Sequence, residues 1–505
     1  MTKISAPTID SSSALPRSSL AGRATLIRSG AVYTLASVIP RAIGFLLLPV
    51  FTRILSPADY GQLSVALSVN AVASIVFAFG FEIAVFRGLF QLGDDQAART
   101  QFLRTTWTFL ILAPLLMAAI CAVVLAPILG SSHVLSASRL SLSLFGAAIY
   151  VAATTVPLVA LRAADRVRQY LLLNAVIAAT TTTLTLTLVV WVRIGIEGWL
   201  LAVIAGNAIG LAVAMRIIPY ARPQPFDMGA VKKTLQLSLP IVPHVAALWT
   251  LQLADRVLVA TLLSLGTAGV YSLASNLALP MYMIVIGFGQ AFMPDYARAG
   301  QAGSSQEALR RTIALQVAVV AVLGVACALL GPLAVHLLDR RYASAAALVP
   351  WLVLGYGFLG LYAIPMNGIT LTHGRTNGLV LVSGAGATTN IGLIVGLGPV
   401  YGVEAVAIAS AVGYGVLLVG VMLFARYRHA TLQYPWRRIS VALGVGLAGY
   451  AGGVLSSSND IFAVNVAVRS TWIAVTAAAV GAVSLGPKAL LHGASQKLRF
   501  RSHRY

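Results

Sequence analysis

The sequence predicts an all-α, polytopic membrane protein of about fourteen transmembrane helices, arranged as two parallel six-helix lobes plus a C-terminal helix pair. Three observations lead to this prediction: the composition, the placement of basic residues and an internal repeat. Of 505 residues, 58% are hydrophobic and 10% are charged, and the mean hydropathy is +0.87. A chain this apolar cannot cover itself with polar surface in water, so its hydrophobic stretches are expected to lie in a bilayer.

Fourteen apolar stretches have the length of a membrane-spanning helix, about 20 residues. These predicted spans cover 30–51, 63–86, 105–129, 140–161, 170–192, 198–218, 239–263, 267–293, 312–337, 346–371, 378–398, 403–425, 439–455 and 461–486. The domain organisation follows from them. It comprises a disordered basic cytoplasmic leader (1–29), an N-terminal six-helix lobe (30–218), a cytoplasmic linker (219–238), a C-terminal six-helix lobe (239–425), a helix pair with its preceding basic loop (426–486) and a basic cytoplasmic tail (487–505).

Basic residues predict the orientation in the membrane. The net charge of +21 would suggest nucleic acid as a partner of a soluble protein. When Lys and Arg are sorted by alternate connections, 27 of the 35 lie on the side that holds both termini, and only five lie on the other side: Arg53, Arg139, Arg193, Arg340 and Arg341. The positive-inside rule therefore predicts a multi-pass membrane protein with both termini cytoplasmic. The charge is explained by orientation and anionic lipid, and no nucleic acid is expected.

An internal repeat relates the two predicted lobes. The sequence LSPADYGQLSVA (55–66) is echoed by LSLGTAGVYSLA (263–274) at a constant offset of 208, which pairs Gly61 with Gly269 and Ser64 with Ser272. Because six helices are an even number, both copies have the same orientation. Parallel repeats of this kind are a transporter architecture, with the substrate site between the halves.

The connections between spans argue against an enzyme. The connections on the predicted outer side are all short, with about ten residues at most, as at 130–139. Glycosyl transfer or polymerisation on that face needs a larger loop or domain to hold an acceptor and acid/base groups. The sequence has no nucleotide-binding motif and no metal-ligand spacing, and its two cysteines, Cys121 and Cys327, lie in apolar runs. No metal and no cofactor are expected.

Ionisable residues at membrane depth are costly and indicate function by default. In the first span, Arg41 shares a helix face with Thr34 and Ser37. We interpret this polar stripe as a cationic cavity wall that receives an anionic head group. The alternative is an arginine satisfied by neighbouring backbone carbonyls.

The seventh span carries four polar residues, His244, Gln252, Asp255 and Arg256. Adjacent helical residues diverge by about 100°, so Asp255 and Arg256 are expected to have separate partners. One interpretation assigns Arg256 to the substrate, Asp255 to coupling or to holding an arginine, and Gln252 to the polar lining. The other is a structural ion pair between helices. His244, near the cytoplasmic mouth, is a candidate proton sensor.

Other polar residues in the spans leave alternatives open. Glu82, near the cytoplasmic end of the second span, is a candidate proton carrier if it is buried, and snorkelling to the interface is the competing interpretation. Arg53, at the outer end of the first span, is a further head-group candidate with the same alternative. Asparagines in the spans either bond helices together or bind sugar hydroxyls: Asn70, Asn174, Asn207, Asn276, Asn367 and Asn390.

Four stretches carry a family resemblance: FTRILSPADYGQLSVALS (51–68), the segment 239–274 with LPIVPH and LQLADRVLVATLLSLGTAGVYSLA, GQAFMPDYAR (289–298) and GLGPVYGVEAVAIASAVGY (396–414). In order and spacing they resemble the Wzx-type flippases for lipid-linked oligosaccharides, of the MATE-like multidrug/oligosaccharidyl-lipid/polysaccharide (MOP) superfamily. The resemblance spans the first twelve helices and implies a V-shaped pair of lobes around a central cavity. The count of fourteen helices is also similar to that of the lipid II flippases, in which the last pair of helices forms a groove for the lipid tail. Those relatives carry several arginines in helix 1, whereas this chain has Arg41 and the terminal Arg53.

The resemblance implies a transporter, not an enzyme. It would flip an undecaprenyl-pyrophosphate-linked oligosaccharide from the cytoplasmic to the periplasmic leaflet by alternating access, for the biosynthesis of a surface polysaccharide such as lipopolysaccharide or exopolysaccharide. Guanidiniums of Arg41 and Arg256 would offset part of the desolvation of the pyrophosphate. The alternatives are a MATE-type ion-coupled small-molecule exporter, which favours an acidic cavity, and a membrane polymerase or ligase, which the short loops disfavour. Expected partners are the lipid-linked oligosaccharide, membrane lipids, and the polymerase and glycosyltransferases of the same pathway.

Overall fold

The computed structural model describes residues 43–93, 95–129, 134–218, 227–239, 242–290, 292–293, 295–296, 306–370, 378–427, 432–457 and 461–485. The predicted leader (1–29), the tail (487–505) and the first span up to residue 42 lie outside these ranges. All regular secondary structure in the described part is helical. This agrees with the long apolar runs of the sequence.

The helices have the following bounds. They are α1 Leu48–Ile54, α2 Pro57–Phe77, α3 Phe81–Gln91, α4 Gln96–Leu129, α5 Ala137–Ala163, α6 Val167–Thr185 with a π-helical continuation Leu186–Trp191, α7 Ile196–Ile217, α8 Met228–Ser238, α9 Val242–Leu262, α10 Leu265–Gln290, α11 Gln306–Ala334, α12 Ala345–Gly368, α13 Leu379–Tyr427, α14 Trp436–Leu455 and α15 Phe462–Leu485. Two short 3₁₀ segments, Val335–Leu337 and Arg340–Tyr342, lie between α11 and α12.

The start of α2 is set by local chemistry. Ser56 caps the helix by accepting from the backbone N–H of Asp59 at 3.1 Å, and the Asp59 carboxylate accepts from the backbone N–H of Ser56 at 3.3 Å. Pro57 occupies the first helical position, where its missing N–H costs nothing. At the other end, Phe79 (φ 49°) and Gly80 (φ 70°) leave the helical region, so that α3 starts as a separate helix.

Eleven helices of the described part are long and apolar enough to cross a membrane. One of them, α13, is interrupted at Gly402 (φ 75°, ψ −162°) and turns back on itself, so its halves correspond to the predicted spans 378–398 and 403–425. Helix α9 is not among the eleven but corresponds to the predicted span 239–263. Together these helices account for predicted spans 2 to 14. The prediction of an all-α polytopic membrane protein is confirmed.

The helices pack in two groups that meet at α2. In the first group, α5 packs against α2, α4 and α7, and α6 packs against α7. In the second, α12 packs against α10, α11 and α13, and α13 packs against α9. The main contacts between the groups are those of α2 with α9 and α10. We call the end of the bundle that carries the turns 55–56 and 338–344 the upper end, and the opposite end the lower end.

The last two helices attach to the second group through α11. Helices α14 and α15 pack against each other and against α11. Arg469, on α15, donates from Nη1 to the backbone carbonyl of Leu329 on α11 at 2.7 Å. A hydrogen bond from a charged donor in an apolar setting is stronger than a neutral one, so it helps to hold the pair in place.

Candidate functional site

The two groups of helices touch most closely where α2 crosses α10. The side-chain oxygens of Ser64 and Ser272 lie 2.5 Å apart. One turn above them, Gly61 and Gly269 face each other. A Cβ on Gly61 would lie 2.0 Å from the carbonyl oxygen of Leu265, and one on Gly269 would lie 1.9 Å from that of Pro57. Only glycine therefore permits this approach.

Loop residues between α11 and α12 close the upper end against α1. The Tyr342 hydroxyl donates to the carbonyl of Leu55 at 3.1 Å. Arg341 donates from Nη2 to the carbonyls of Thr52 at 3.2 Å and Arg53 at 3.3 Å. Asp339 orients Arg341 by accepting from its Nε at 2.9 Å, and these hydrogen bonds from Arg341 lower the pKa of the Asp339 carboxyl. The upper end is thus closed by contacts between the two groups.

A cavity of about 250 Å³ lies beneath this closure, between the two groups. Its wall is mainly apolar and aromatic, with a few polar groups. The residues that line it come from α1 and the residues before it, α2, α7, α9 and α10: Gly44, Phe45, Leu48, Phe51, Tyr60, Leu63, Ser64, Leu67, Trp199, Arg256, Asn276 and Leu279.

Arg256 is the charged side chain among the described residues of this cavity wall. It is half-buried, and its Nε is buried without a hydrogen-bond acceptor within the described ranges. Its side chain forms no ion pair with any residue in this part of the chain, including the adjacent Asp255. A partly desolvated guanidinium without an ion-pair partner is costly, and an anion entering the cavity would relieve that cost.

Asp255 faces away from the cavity into the second group of helices. Its Oδ2 accepts a short hydrogen bond from the Tyr271 hydroxyl and a second from the Ser410 hydroxyl at 3.2 Å. Its Oδ1 is buried without a partner in the described chain. The divergence predicted for Asp255 and Arg256 is thus present: one lies in a buried hydroxyl cluster and the other in the cavity wall.

The other predicted site residues are placed as follows. Arg53 is exposed at the upper end, where its backbone carbonyl accepts from Arg341. The Glu82 side chain is 64% exposed and lies 3.8 Å from Nη1 of Arg162 at the lower end, so the condition of burial for a proton carrier is not met. Gln252 is half-buried on α9, and His244 lies in the first turn of that helix with its side chain outside the description. Arg41, Thr34 and Ser37 lie outside the described residues.

The structure distinguishes the roles of four of the asparagines, which the sequence left open. Three of them donate to backbone carbonyls: Asn70 to Ser143 at 2.9 Å, Asn174 to Tyr170 at 2.9 Å and Asn207 to Val203 at 2.8 Å. Asn276 instead donates to the Tyr60 hydroxyl at 2.8 Å, across the two groups of helices, and lines the cavity.

Sequence reasoning missed the aromatic side of the cavity. Phe51, Tyr60 and Trp199 are scattered over three helices, and no spacing rule connects them. The rings of Phe51 and Trp199 pack with centroids 4.4 Å apart. Tyr60 meets Tyr342 edge to face with centroids 6.0 Å apart. The nearest signal was the position of Phe51 and Tyr60 in the motif at 51–68.

The residues that the structure describes contain no cluster of three or more His, Cys, Asp or Glu suited to a metal ion. Cys121 and Cys327 are free and half-buried. The described part of the cavity wall therefore offers one guanidinium, hydroxyl and amide groups, and aromatic rings.

Comparison with known proteins shows which family the sequence matches and which folds are similar. The sequence matches the polysaccharide biosynthesis protein family over residues 26–299, more than half of the chain. The fold is similar to that of the lipid II flippase MurJ in an inward closed conformation, with a TM-score of 0.71 and 14% identity over 88% of this chain and 97% of that one. It is also similar to the MATE multidrug transporter DinF-BH, with a TM-score of 0.57 and 16% identity over 80% and 95% of the two chains. No curated protein matches the sequence. The predicted MATE-like fold is confirmed.

Proposed function

We propose that this chain, which belongs to the polysaccharide biosynthesis protein family, is a multi-pass membrane transporter rather than an enzyme. It flips an undecaprenyl-pyrophosphate-linked oligosaccharide from the cytoplasmic to the periplasmic leaflet of the bacterial inner membrane. The product would supply surface polysaccharide assembly. Lipid-linked oligosaccharide, membrane lipids and the polymerase and glycosyltransferases of the pathway are the proposed partners.

The unpaired guanidinium of Arg256 is the observation that carries this proposal. A pyrophosphate brings about two negative charges into the low-dielectric interior of the bundle, and its desolvation must be offset. Arginine suits this task because its planar donors match phosphate oxygens and it stays charged. Arg256 lines the cavity and forms no ion pair within the described ranges, so its guanidinium is available to the head group.

The direction of transport follows from the predicted topology. The distribution of basic residues predicts that the upper end is periplasmic. The closure by Gly61, Gly269, Tyr342 and Arg341 then faces the periplasm, and the substrate enters from the cytoplasmic side. In this proposal the two lobes, 30–218 and 239–425, rock about the α2–α10 crossing. Parting of this crossing releases the head group on the other side.

Asp255 is the proposed coupling group. It is a buried carboxylate with one oxygen bonded to Tyr271 and Ser410 and the other unpartnered in the described chain. Such a group is stabilised by uptake of a proton or a small cation. Helix α9 carries Asp255 and Arg256 on different faces. Uptake of a proton or a small cation at Asp255 can therefore shift the position of the helix that presents the Arg256 guanidinium to the cavity.

The test is complementation of a strain that lacks this gene. We expect deletion to abolish the surface polysaccharide and to leave lipid-linked repeat units on the cytoplasmic side. Arg256→Ala should fail to restore export, whereas Arg256→Lys should restore part of it. Arg216→Ala, which removes an exposed arginine on α7, is the matched control and should complement fully.

A small-molecule exporter of the same fold is the alternative outcome. Normal polysaccharide in the deletion strain together with altered drug tolerance would overturn the flippase proposal in its favour. Full activity of Arg256→Ala, with expression equal to the wild type, would remove Arg256 from the mechanism.

A further inference from the structure

The cavity is too small for a whole oligosaccharide. Its volume of about 250 Å³ is below the range of roughly 300–1,000 Å³ that is typical of sites for drug-sized ligands. It can enclose one charged group and about one sugar ring. The sugar that reaches its wall while Arg256 holds the pyrophosphate is therefore the one attached directly to the pyrophosphate.

Part of the cavity wall is aromatic and rigid. Phe51 and Tyr60 are 2% and 6% exposed, so their rings are fixed by packing. Trp199 packs against Phe51 with centroids 4.4 Å apart but is only half-buried, and its remaining surface contributes to the cavity. A flat apolar ring held in place suits the C–H face of a sugar, because the contact buries apolar area without ordering a flexible side chain.

Two polar groups beside this wall lack partners. The Asn276 amide nitrogen donates to Tyr60, which leaves its carbonyl oxygen without a donor among the described residues. The indole N–H of Trp199 has no acceptor in the same part of the chain. One free acceptor and one free donor next to an aromatic face match the needs of sugar hydroxyls, which both donate and accept.

We infer that Trp199 and Asn276 form a subsite for a single monosaccharide, the sugar attached to the pyrophosphate, and that this subsite selects the substrate. The inference rests on the proposed function and names the part of the head group that the site recognises. A site whose polar groups are matched by ligand hydroxyls discriminates strongly against a ligand that lacks them, because those groups are then left unpaired. The flippase would thus favour lipids that carry a sugar over the bare carrier.

The test measures binding of defined lipids to the purified full-length protein by native mass spectrometry. The probes are undecaprenyl pyrophosphate without a sugar and the same lipid carrying one glucose, one galactose or one N-acetylglucosamine. We expect at least one sugar-bearing lipid to bind the wild type about tenfold or more tightly than the bare lipid. Trp199→Leu and Asn276→Ala should reduce this preference to about twofold or less, and Trp199→Phe, which keeps a ring but loses the N–H, should fall between.

Controls separate this inference from the proposed function. Trp191→Leu removes an 81% exposed tryptophan and should keep the full sugar preference. Arg256→Ala should weaken binding of all four lipids by a similar factor and leave their ratio unchanged. No preference for any sugar-bearing lipid in the wild type, or equal losses for all four lipids in Trp199→Leu, would overturn the subsite while the flippase proposal stands. Failure of the wild type to bind any of the four lipids would overturn both.

Discussion

Ser64 and Ser272 hydrogen-bond to each other through their side-chain oxygens at 2.5 Å, although 208 residues separate them. The same number is the offset of the repeat in the sequence. Equivalent positions of two copies can contact each other only beside the axis that relates the copies. The pseudo-two-fold axis therefore passes between α2 and α10, and relative movement of the two groups of helices acts on this contact.

Alanine at position 61 should open the upper end. Its Cβ would lie 2.0 Å from a backbone carbonyl oxygen, which cannot move aside as a side chain can. Overpacking of this kind costs about 1–3 kcal/mol. The ratio of the closed to the open arrangement should therefore fall by about fivefold or more. The measurement is labelling from the outside of a cysteine placed at Ser64, which should speed up in Gly61→Ala.

Gly392→Ala is the control for this prediction, because a Cβ at that position of α13 has open space around it. Its labelling rate should equal that of the parent. Equal rates in Gly61→Ala would contradict the role assigned to the glycine contact.

A disulfide across the axis should lock the transporter. The positions of Ser64 and Ser272 allow Ser64→Cys and Ser272→Cys to form a disulfide, since their side-chain atoms already touch. In a background with Cys121→Ala and Cys327→Ala, oxidation should link the pair and stop transport, and a reductant should restore it. Each single cysteine variant should be insensitive to oxidant. Full transport by the linked protein would show that the crossing does not open.

Arg341 should act as a latch at the upper end. Arg341→Ala removes the hydrogen bonds to the carbonyls of Thr52 and Arg53 and should raise labelling at Ser64→Cys. The neighbouring Arg340 is exposed and makes none of these contacts, so Arg340→Ala should leave labelling unchanged. Equal behaviour of the two variants would contradict the latch.

The latch should be insensitive to pH near neutrality. Its partner Asp339 has a lowered pKa because it accepts hydrogen bonds from Arg341. A lowered carboxyl pKa contributes stability that is present above the ordinary value of about 3.9 and is lost as the pH falls through the folded value. The labelling rate at Ser64→Cys, divided at each pH by the rate of the same cysteine in Arg341→Ala to cancel the titration of the thiol itself, should therefore be a constant ratio from about pH 5 to 8 and approach one only in stronger acid. A step between pH 5 and 8 would point to another titrating group.

Two variants of Asp255 should distinguish its role in coupling from its role in folding. Asp255→Asn keeps an oxygen for Tyr271 and Ser410 and should leave a folded protein whose transport in proteoliposomes no longer responds to a proton or sodium gradient. Asp255→Ala removes the acceptor of two buried hydroxyls and should also lower stability by about 1–3 kcal/mol. An unchanged gradient response in Asp255→Asn would exclude Asp255 as the coupling group.

Much of the fold could be predicted because transfer of apolar residues into a bilayer is a local property of the chain. Predicted spans 2 to 14 each have a helix, and the break at Gly402 falls in the predicted connection between two spans. The repeat offset likewise predicted which serines are equivalent. That they touch could not be predicted, since contact depends on how the copies pack.

The sequence by itself determined the helices, their alternation and the presence of a few ionisable residues among them. Only the tertiary structure decided what those residues face. Asp255 and Arg256 are neighbours on α9, and helical geometry alone separates their side chains. Packing against α10 and α13 encloses Asp255 with Tyr271 and Ser410, whereas the gap below the α2–α10 crossing receives Arg256. Side-chain surroundings come from contacts between distant segments, which no local pattern encodes.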